Sequence, residues 1–207
     1  MNIIEKAKEW QGLILERPYI SPELQSLKGP VLLHISDTPR EIHRYIVRLV
    51  EILQPDYIIH TGDLVDDIKL EQLPHYIDEY KKLASIFIQQ LEAVTDAKTY
   101  YAMGNHDRYQ VIKSISKKGI PITNGHIQIE GINFYINHYH TDEKEHIDYY
   151  LYGHSFEPKS YRKEDHTGLN GLDMIHVLDL STREIYTLPY PFDTDYYRKM
   201  ARRKIGL

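Results

Sequence analysis

Between Pro30 and Asn105 the chain alternates three short apolar runs with two stretches of helical periodicity. Each run stops at a turn bearing Asp or Asn. Pro30-Val31-Leu32-Leu33-His34-Ile35-Ser36 ends at Asp37. Tyr57-Ile58-Ile59-His60 leads into Thr61-Gly62-Asp63-Leu64-Val65-Asp66, and Thr99-Tyr100-Tyr101-Ala102-Met103 leads into Gly104-Asn105-His106-Asp107. Apolar runs of this length, bounded by Gly and Pro, read as buried strands. Between the first two, Ile42, Tyr45, Ile46, Leu49, Val50 and Leu53 recur at the spacing of an amphipathic helix. Between the second and third, a helix from about Leu73 to Val94 places Ile77, Tyr80, Leu83, Ala84, Phe87 and Leu91 on one face. A β-α-β-α-β series of this kind favours parallel strands with right-handed crossovers. Ligands bind such sheets at the carboxyl ends of the strands. Gly62 permits a sharp turn there, so Asp63 emerges at that end.

Taken singly, Gly-Asp-x-x-Asp is ordinary turn chemistry with solvated carboxylates. Two polar loops, each at a strand end, are harder to assign to turns alone, because together they bring Asp, Asn and His into one crevice.

Residues 1–29 read as a helical lead-in, with Ser21 as a cap and Pro22 in a first turn. After Asn105 the texture becomes β-rich. His126–Glu130 and Ile132–Asn137 flank Gly131 as a hairpin, Tyr149–Tyr152 reads as a short strand ending at Gly153-His154, and Met174–Leu178 with Glu184–Leu188 forms a late strand pair. Residues 157–170 read as a polar surface loop, and Tyr196–Lys204 as a basic tail whose default reading is a solvated helix face. The 207 residues are expected to form one domain. A net charge of -5 argues against general nucleic-acid binding. The absence of cysteine excludes disulfides and thiolate metal sites. No apolar stretch reads as a signal peptide or a bilayer span, so a cytoplasmic location is the default expectation.

Strand ends thus deliver Asp37, Asp63, Asn105, His138 and His154. In these residues the chain resembles the calcineurin-like metallophosphoesterases, whose pattern is Asp-x-His, Gly-Asp-x-x-Asp, Gly-Asn-His-Asp/Glu, a lone His, and Gly-His-x-His. The resemblance runs from about Leu32 to Phe156, in the family's order. The second and third motifs are complete. The first and last depart from the pattern, since Pro39 and Phe156 stand where the family has histidine.

The resemblance implies a four-layer α/β/β/α sandwich and a metal-dependent hydrolase of phosphomonoesters or phosphodiesters. It implies one complete metal site built from Asp63, Asn105, His138 and His154. The second site keeps only Asp37 and a share of Asp63. Two imidazole nitrogens with carboxylate and amide oxygens suit Mn, Fe or Zn. The impoverished site, with oxygen ligands only, favours a hard ion holding several waters, or stays empty. By the same resemblance, His106 points at the scissile phosphate and Asp66 holds it there, favouring the imidazolium that donates a proton. The losses at positions 39 and 156 equally motivate a reading of another class, a non-catalytic member that binds a protein or nucleotide.

Several residues carry bland alternatives. Asp37 reads as well as part of a helix-start turn, with Thr38 capping and Pro39 in the first turn. His140 lies two residues beyond His138 and is an alternative ligand, though a solvated loop histidine is the simpler account. Arg40 and Arg108 each follow a motif and suit a phosphate clamp, against a plain surface-charge reading. His34 and His60 read as packing residues.

Overall fold

The computed structural model describes residues 3–15, 17–141 and 146–199. Met1, Asn2 and the part of the expected basic tail beyond Lys199 lie outside the described residues. The chain opens with helices α1 (Ile3–Ile14) and α2 (Pro22–Gln25), then strand β1 (Val31–Ile35), α3 (His43–Leu53) and β2 (Tyr57–His60). There follow α4 (Ile77–Val94), β3 (Lys98–Ala102), α5 (Tyr109–Ile115) and β4 (Ile120–Ile122). The β-rich part runs β5 (Gly125–Ile129), β6 (Ile132–Ile136), β7 (Tyr149–Tyr152), β8 (Tyr161–Arg162) and β9 (Thr167–Asn170). It ends with β10 (Ile175–Asp179), β11 (Ile185–Leu188) and the short helix α6 (Thr194–Tyr197).

The strands form two sheets, ordered β11-β10-β1-β2-β3-β4 and β5-β6-β7-β9-β8. As the alternating pattern implies, β1, β2 and β3 are parallel neighbours. Their apolar runs are continuous because both faces are covered. Period two then decides which side chain goes where. Leu33, Ile35, Ile58 and Tyr101 face the helices, whereas Leu32, Ile59, Tyr100 and Ala102 face the second sheet. On the helical side, Tyr45, Ile46, Leu49 and Val50 of α3 meet Tyr80, Ala84, Phe87 and Leu91 of α4. Each large apolar side chain buried there contributes about 1.5–3 kcal/mol.

The architecture is therefore the α/β sandwich that the resemblance implies, with two sheets face to face and helices outside. The helical cover is uneven. Among the described residues no helix forms between Ser116 and Asp193, and Tyr135, Tyr150, Tyr152 and Ile147 form a small apolar cluster of their own on the second sheet. No helix of the described residues is long and apolar enough to cross a membrane.

Two local expectations change. Residues 157–170 are not simply a loop, because Thr167–Asn170 is a buried strand pairing with β7 and β8. Its polar composition hides this. The Asn170 amide is satisfied internally, donating to the carbonyls of Ser155 at 2.7 Å and Pro158 at 2.9 Å. Thr38 does not cap the following helix either. Its hydroxyl turns inward to the Leu64 carbonyl at 3.0 Å and His60 Nε2 at 2.9 Å, and a 3-10 turn over Arg40–Ile42 precedes α3.

Candidate metal centre

Every residue of the expected constellation sits just past the carboxyl end of a strand. Asp37 follows β1, Asp63 follows β2, Asn105 and His106 follow β3, His138 follows β6 and His154 follows β7. Since β1–β3 run parallel within one sheet and β6–β7 within the other, the two sheets deliver these loops to one edge of the sandwich.

Four of the side chains converge on one point. His138 Nε2 lies 3.1 Å from Asn105 Oδ1, 3.2 Å from His154 Nδ1 and 3.3 Å from Asp63 Oδ2. The other nitrogen of His138, Nδ1, donates to the Thr61 carbonyl at 2.8 Å. In the neutral ring this leaves a lone pair on Nε2, aimed at two acceptor oxygens and at the ring nitrogen of His154. Acceptors held this close repel one another unless a proton or a cation lies among them. Burial disfavours charge on His138, but the Asp63 hydrogen bond and the negative charges of Asp37 and Asp63 prevail and raise it to about 10. Burial likewise opposes charge on Asp63, yet His138 beside it holds that carboxylate at about 2. The two shifts are one interaction seen from both sides, a buried carboxylate against a ring that holds positive charge beside it. The donor set of two imidazoles, a carboxylate and an amide oxygen fits a borderline divalent cation.

The surrounding loops are shaped to hold this geometry. Asp37, Asp63 and His154 all have positive φ, at +50°, +56° and +64°. Non-glycine residues in that region cost on the order of 1 kcal/mol or more and gather at functional sites. Gly62, at φ +106°, has no room for a side chain, because a Cβ there would stand 2.6 Å from Gly104 N and from His138 Nδ1. Asp107 ties the two motif loops together. Its Oδ2 accepts from the backbone N–H of Asp63 at 2.6 Å and of Gly104 at 2.8 Å. Its Oδ1 accepts from Leu64 N–H at 3.0 Å and from the Tyr80 hydroxyl at 2.7 Å. The sequence motif contains Asp107, but nothing in it discloses this bracing role, which needs donors from three separate elements.

His106 stands beside the cluster, its backbone N–H donating to Asp63 Oδ1 at 2.9 Å. Asp66 lies near it as expected, since Asp63, Asp66 and His106 bring ligand-type atoms within 4.8 Å of one another, but no hydrogen bond joins Asp66 to His106. Among the described residues Asp66 pairs with Lys69 through Oδ1, while its buried Oδ2 has no hydrogen-bond partner. His106 Nδ1 accepts the Glu71 backbone N–H at 3.3 Å, and its Nε2 lies 3.0 Å from the Asn105 amide nitrogen, which can only donate. Burial lowers the His106 pKa, and the charge of Asp63 only partly opposes this. Burial thus works against the expected imidazolium. Burial, then the charges of Asp37 and Asp63, push Asp66 well above the usual carboxylate range. Glu71 has a second contact that the sequence does not disclose. Its carboxylate accepts from Asn105 Nδ2 at 2.8 Å, turning the amide oxygen toward His138.

The remaining candidates separate cleanly. Asp37 is buried next to the cluster, but its Oδ2 accepts from the Ser36 hydroxyl at 2.5 Å and from the His154 N–H at 3.1 Å. Arg40 is engaged by Asp67 and Glu79. Arg108 donates to the carbonyls of Asn105, Asp107 and Leu70. His140 bonds the Tyr161 hydroxyl at 3.1 Å and packs on Tyr152. His34 and His60 are fully buried and bond Thr61 and Thr38. A cleft of about 790 Å³ opens over the cluster, lined by Asp37, Asp63, Asn105, His106 and His154, together with Asp66, Lys69, Leu73 and Tyr76.

Comparison with known proteins gives the same direction. Residues 30–118 match the model of the calcineurin-like phosphoesterase family. An archaeal phosphodiesterase of known structure superposes with a TM-score of 0.55 at 19% identity, over 77% of this chain and 99% of that chain. A second solved structure superposes with a TM-score of 0.58 at 9% identity, over 79% and 100%. The phosphoesterase Yfce from E. coli matches at a TM-score of 0.48 and 12% identity, over 77% and 98%, too distant to carry an argument. No curated protein sequence matches the chain. At these identities the structures establish the fold.

Proposed function

We propose that this chain, whose residues 30–118 match the calcineurin-like phosphoesterase family model, is a metal-dependent hydrolase of phosphate esters, working through one firmly held divalent cation. The observation that carries the reading is the convergence of Asp63, Asn105 and His154 on His138 Nε2. These four residues would hold the ion, with Mn, Fe or Zn as its identities. When bound, such an ion supplies a Lewis acid that polarises a phosphoryl oxygen and makes water a better nucleophile.

The chain's own residues do the rest. The Thr61 carbonyl keeps His138 in the tautomer that presents Nε2. Glu71 orients the Asn105 amide from the other side. His106, in the wall of the cleft, serves as the proton donor to the leaving-group oxygen. Asp66 stays beside His106 but acts through Lys69, whose ammonium it fixes at the same wall for a phosphate oxygen. Leu73 and Tyr76 offer the leaving group an apolar surface.

Protein purified without added metal should contain about one divalent ion per chain by elemental analysis. It should hydrolyse an aryl phosphate mono- or diester with Mn, and His154→Ala should lower turnover by at least about 100-fold. Ion-free protein with undiminished turnover, or turnover indifferent to that substitution, would refute the reading.

A further inference from the structure

Asp37 is gripped from several sides. Its N–H donates to the Gly62 carbonyl at 2.9 Å, and its own carbonyl accepts from Arg198 Nε at 2.7 Å. Arg198 comes from the far end of the chain, just after α6, and is only 1% exposed. Its Nη1 donates to the Leu172 carbonyl at 2.8 Å and to Asp195 Oδ1 at 2.9 Å, and its Nη2 donates to the Ser36 carbonyl at 3.3 Å. The guanidinium lies 4.4 Å from the centre of the Tyr190 ring. The Tyr190 hydroxyl in turn accepts the Ser36 N–H at 3.1 Å and donates to the Gly171 carbonyl at 2.6 Å. A buried guanidinium is tolerated only when its donors are met. Here the backbone carbonyls of residues 36 and 37 accept two of its four hydrogen bonds.

The consequence reaches the cluster through one more contact. With its backbone fixed at φ +50°, Asp37 directs Oδ2 at the N–H of His154, itself at φ +64°. The Ser36 hydroxyl fills the remaining acceptor direction of that oxygen. Asp37 therefore uses Oδ2 to hold the loop of a neighbour whose ring nitrogen lies 3.2 Å from His138 Nε2. Pro39, which carries no side-chain donor atom, leaves Asp37 without a second ligand from its own loop.

We propose that Arg198 and Asp37 form a positioning unit for His154, so that the carboxylate braces the single-ion site instead of ligating a second ion. The proposal rests on the reading that His154 is a ligand. It makes the C-terminal turn, far from every motif in the sequence, a determinant of ion affinity.

The test is calorimetric titration of the full chain with Mn, with folding checked by circular dichroism and thermal melting. Wild type should bind one ion. Arg198→Met should keep that stoichiometry and weaken the dissociation constant by about 10- to 100-fold, the range typical of residues that orient ligands. Arg198→Lys, which still reaches one carbonyl, should recover part of the loss. Asp37→Asn retains an oxygen that accepts from His154 and should stay within about fivefold of wild type, whereas Asp37→Ala should fall about as far as Arg198→Met. Equal losses in Asp37→Asn and Asp37→Ala would overturn the proposal, as would an unchanged constant in folded Arg198→Met. A second wild-type ion removed by Asp37→Asn, with the first retained, would overturn it too. If Arg198→Met does not fold, Tyr190→Phe should show a weaker loss of about threefold or more, and an unchanged constant there counts against the unit. Wild type that binds no ion at all would refute the phosphoesterase reading itself, and the positioning unit with it.

Discussion

His138 Nδ1 donates to the Thr61 carbonyl at 2.8 Å, and this bond decides what the other nitrogen does. It spans 77 positions in sequence and joins the loop after β6 to the loop after β2. By fixing the ring orientation, it points Nε2 at Asp63, Asn105 and His154.

His138→Ala removes that central nitrogen and should abolish tight ion binding, with a loss of at least about 100-fold in affinity. Mn titration of the folded variant checks this. Retention of wild-type affinity would mean that the ion sits elsewhere.

Asp107→Asn tests the brace between the motif loops. An amide nitrogen cannot accept the N–H donors of Asp63, Gly104 and Leu64, so at least one buried donor loses its partner. The expected cost is about 2–4 kcal/mol. At this chain length that lowers the melting temperature by roughly 4–16 °C. A melt within a degree of wild type would contradict the brace.

Glu71→Ala should free the Asn105 amide to rotate and weaken Mn binding by about tenfold. Glu71→Gln keeps an acceptor for Asn105 Nδ2 and should stay within about threefold. Equal losses in the two variants would point to the charge of Glu71 and not to its hydrogen bond.

His176 gives a pH prediction. Burial lowers its pKa to about 4 in the folded chain, below the unfolded value of about 6.5. Between these values the unfolded state takes up a proton that the folded state refuses. Its contribution to stability is therefore intact above pH 6.5 and is lost as pH falls to about 4, by up to on the order of 3 kcal/mol. Urea unfolding of wild type and His176→Gln at pH 7 and pH 4.5 reads this out. The gap between the two proteins should shift by about 2–3 kcal/mol toward the variant at the lower pH. Asp107, which burial and the charge of Asp63 raise to about 6, titrates in the same range but is common to both proteins. A gap independent of pH would show that His176 is not held neutral.

Much of the candidate site is legible in the sequence. The strand ends that carry Asp63, Asn105, His138 and His154 are legible because apolar runs, glycine turns and polar residues follow one another at fixed spacing. Helices α3 and α4 are legible for a related reason, since their buried faces recur every three to four residues. Strand β9 is not. Thr167-Gly-Leu-Asn has the composition of a loop, and it is a strand because β7 and β8 offer it edges to pair with. Strand β4 and helix α5 are short enough to escape a periodicity reading.

The sequence by itself determined the order of elements and the positions at which polar side chains leave the sheet, because local periodicity and turn chemistry act within a few residues. Only the tertiary structure decided how those side chains pair. Asp66 faces Lys69, Glu71 holds Asn105, Asp107 joins two loops, and Arg198 grips Asp37 from 161 residues away. Partners for buried polar groups are chosen by which donors and acceptors the packed backbone brings within about 3 Å, and no local pattern records that choice.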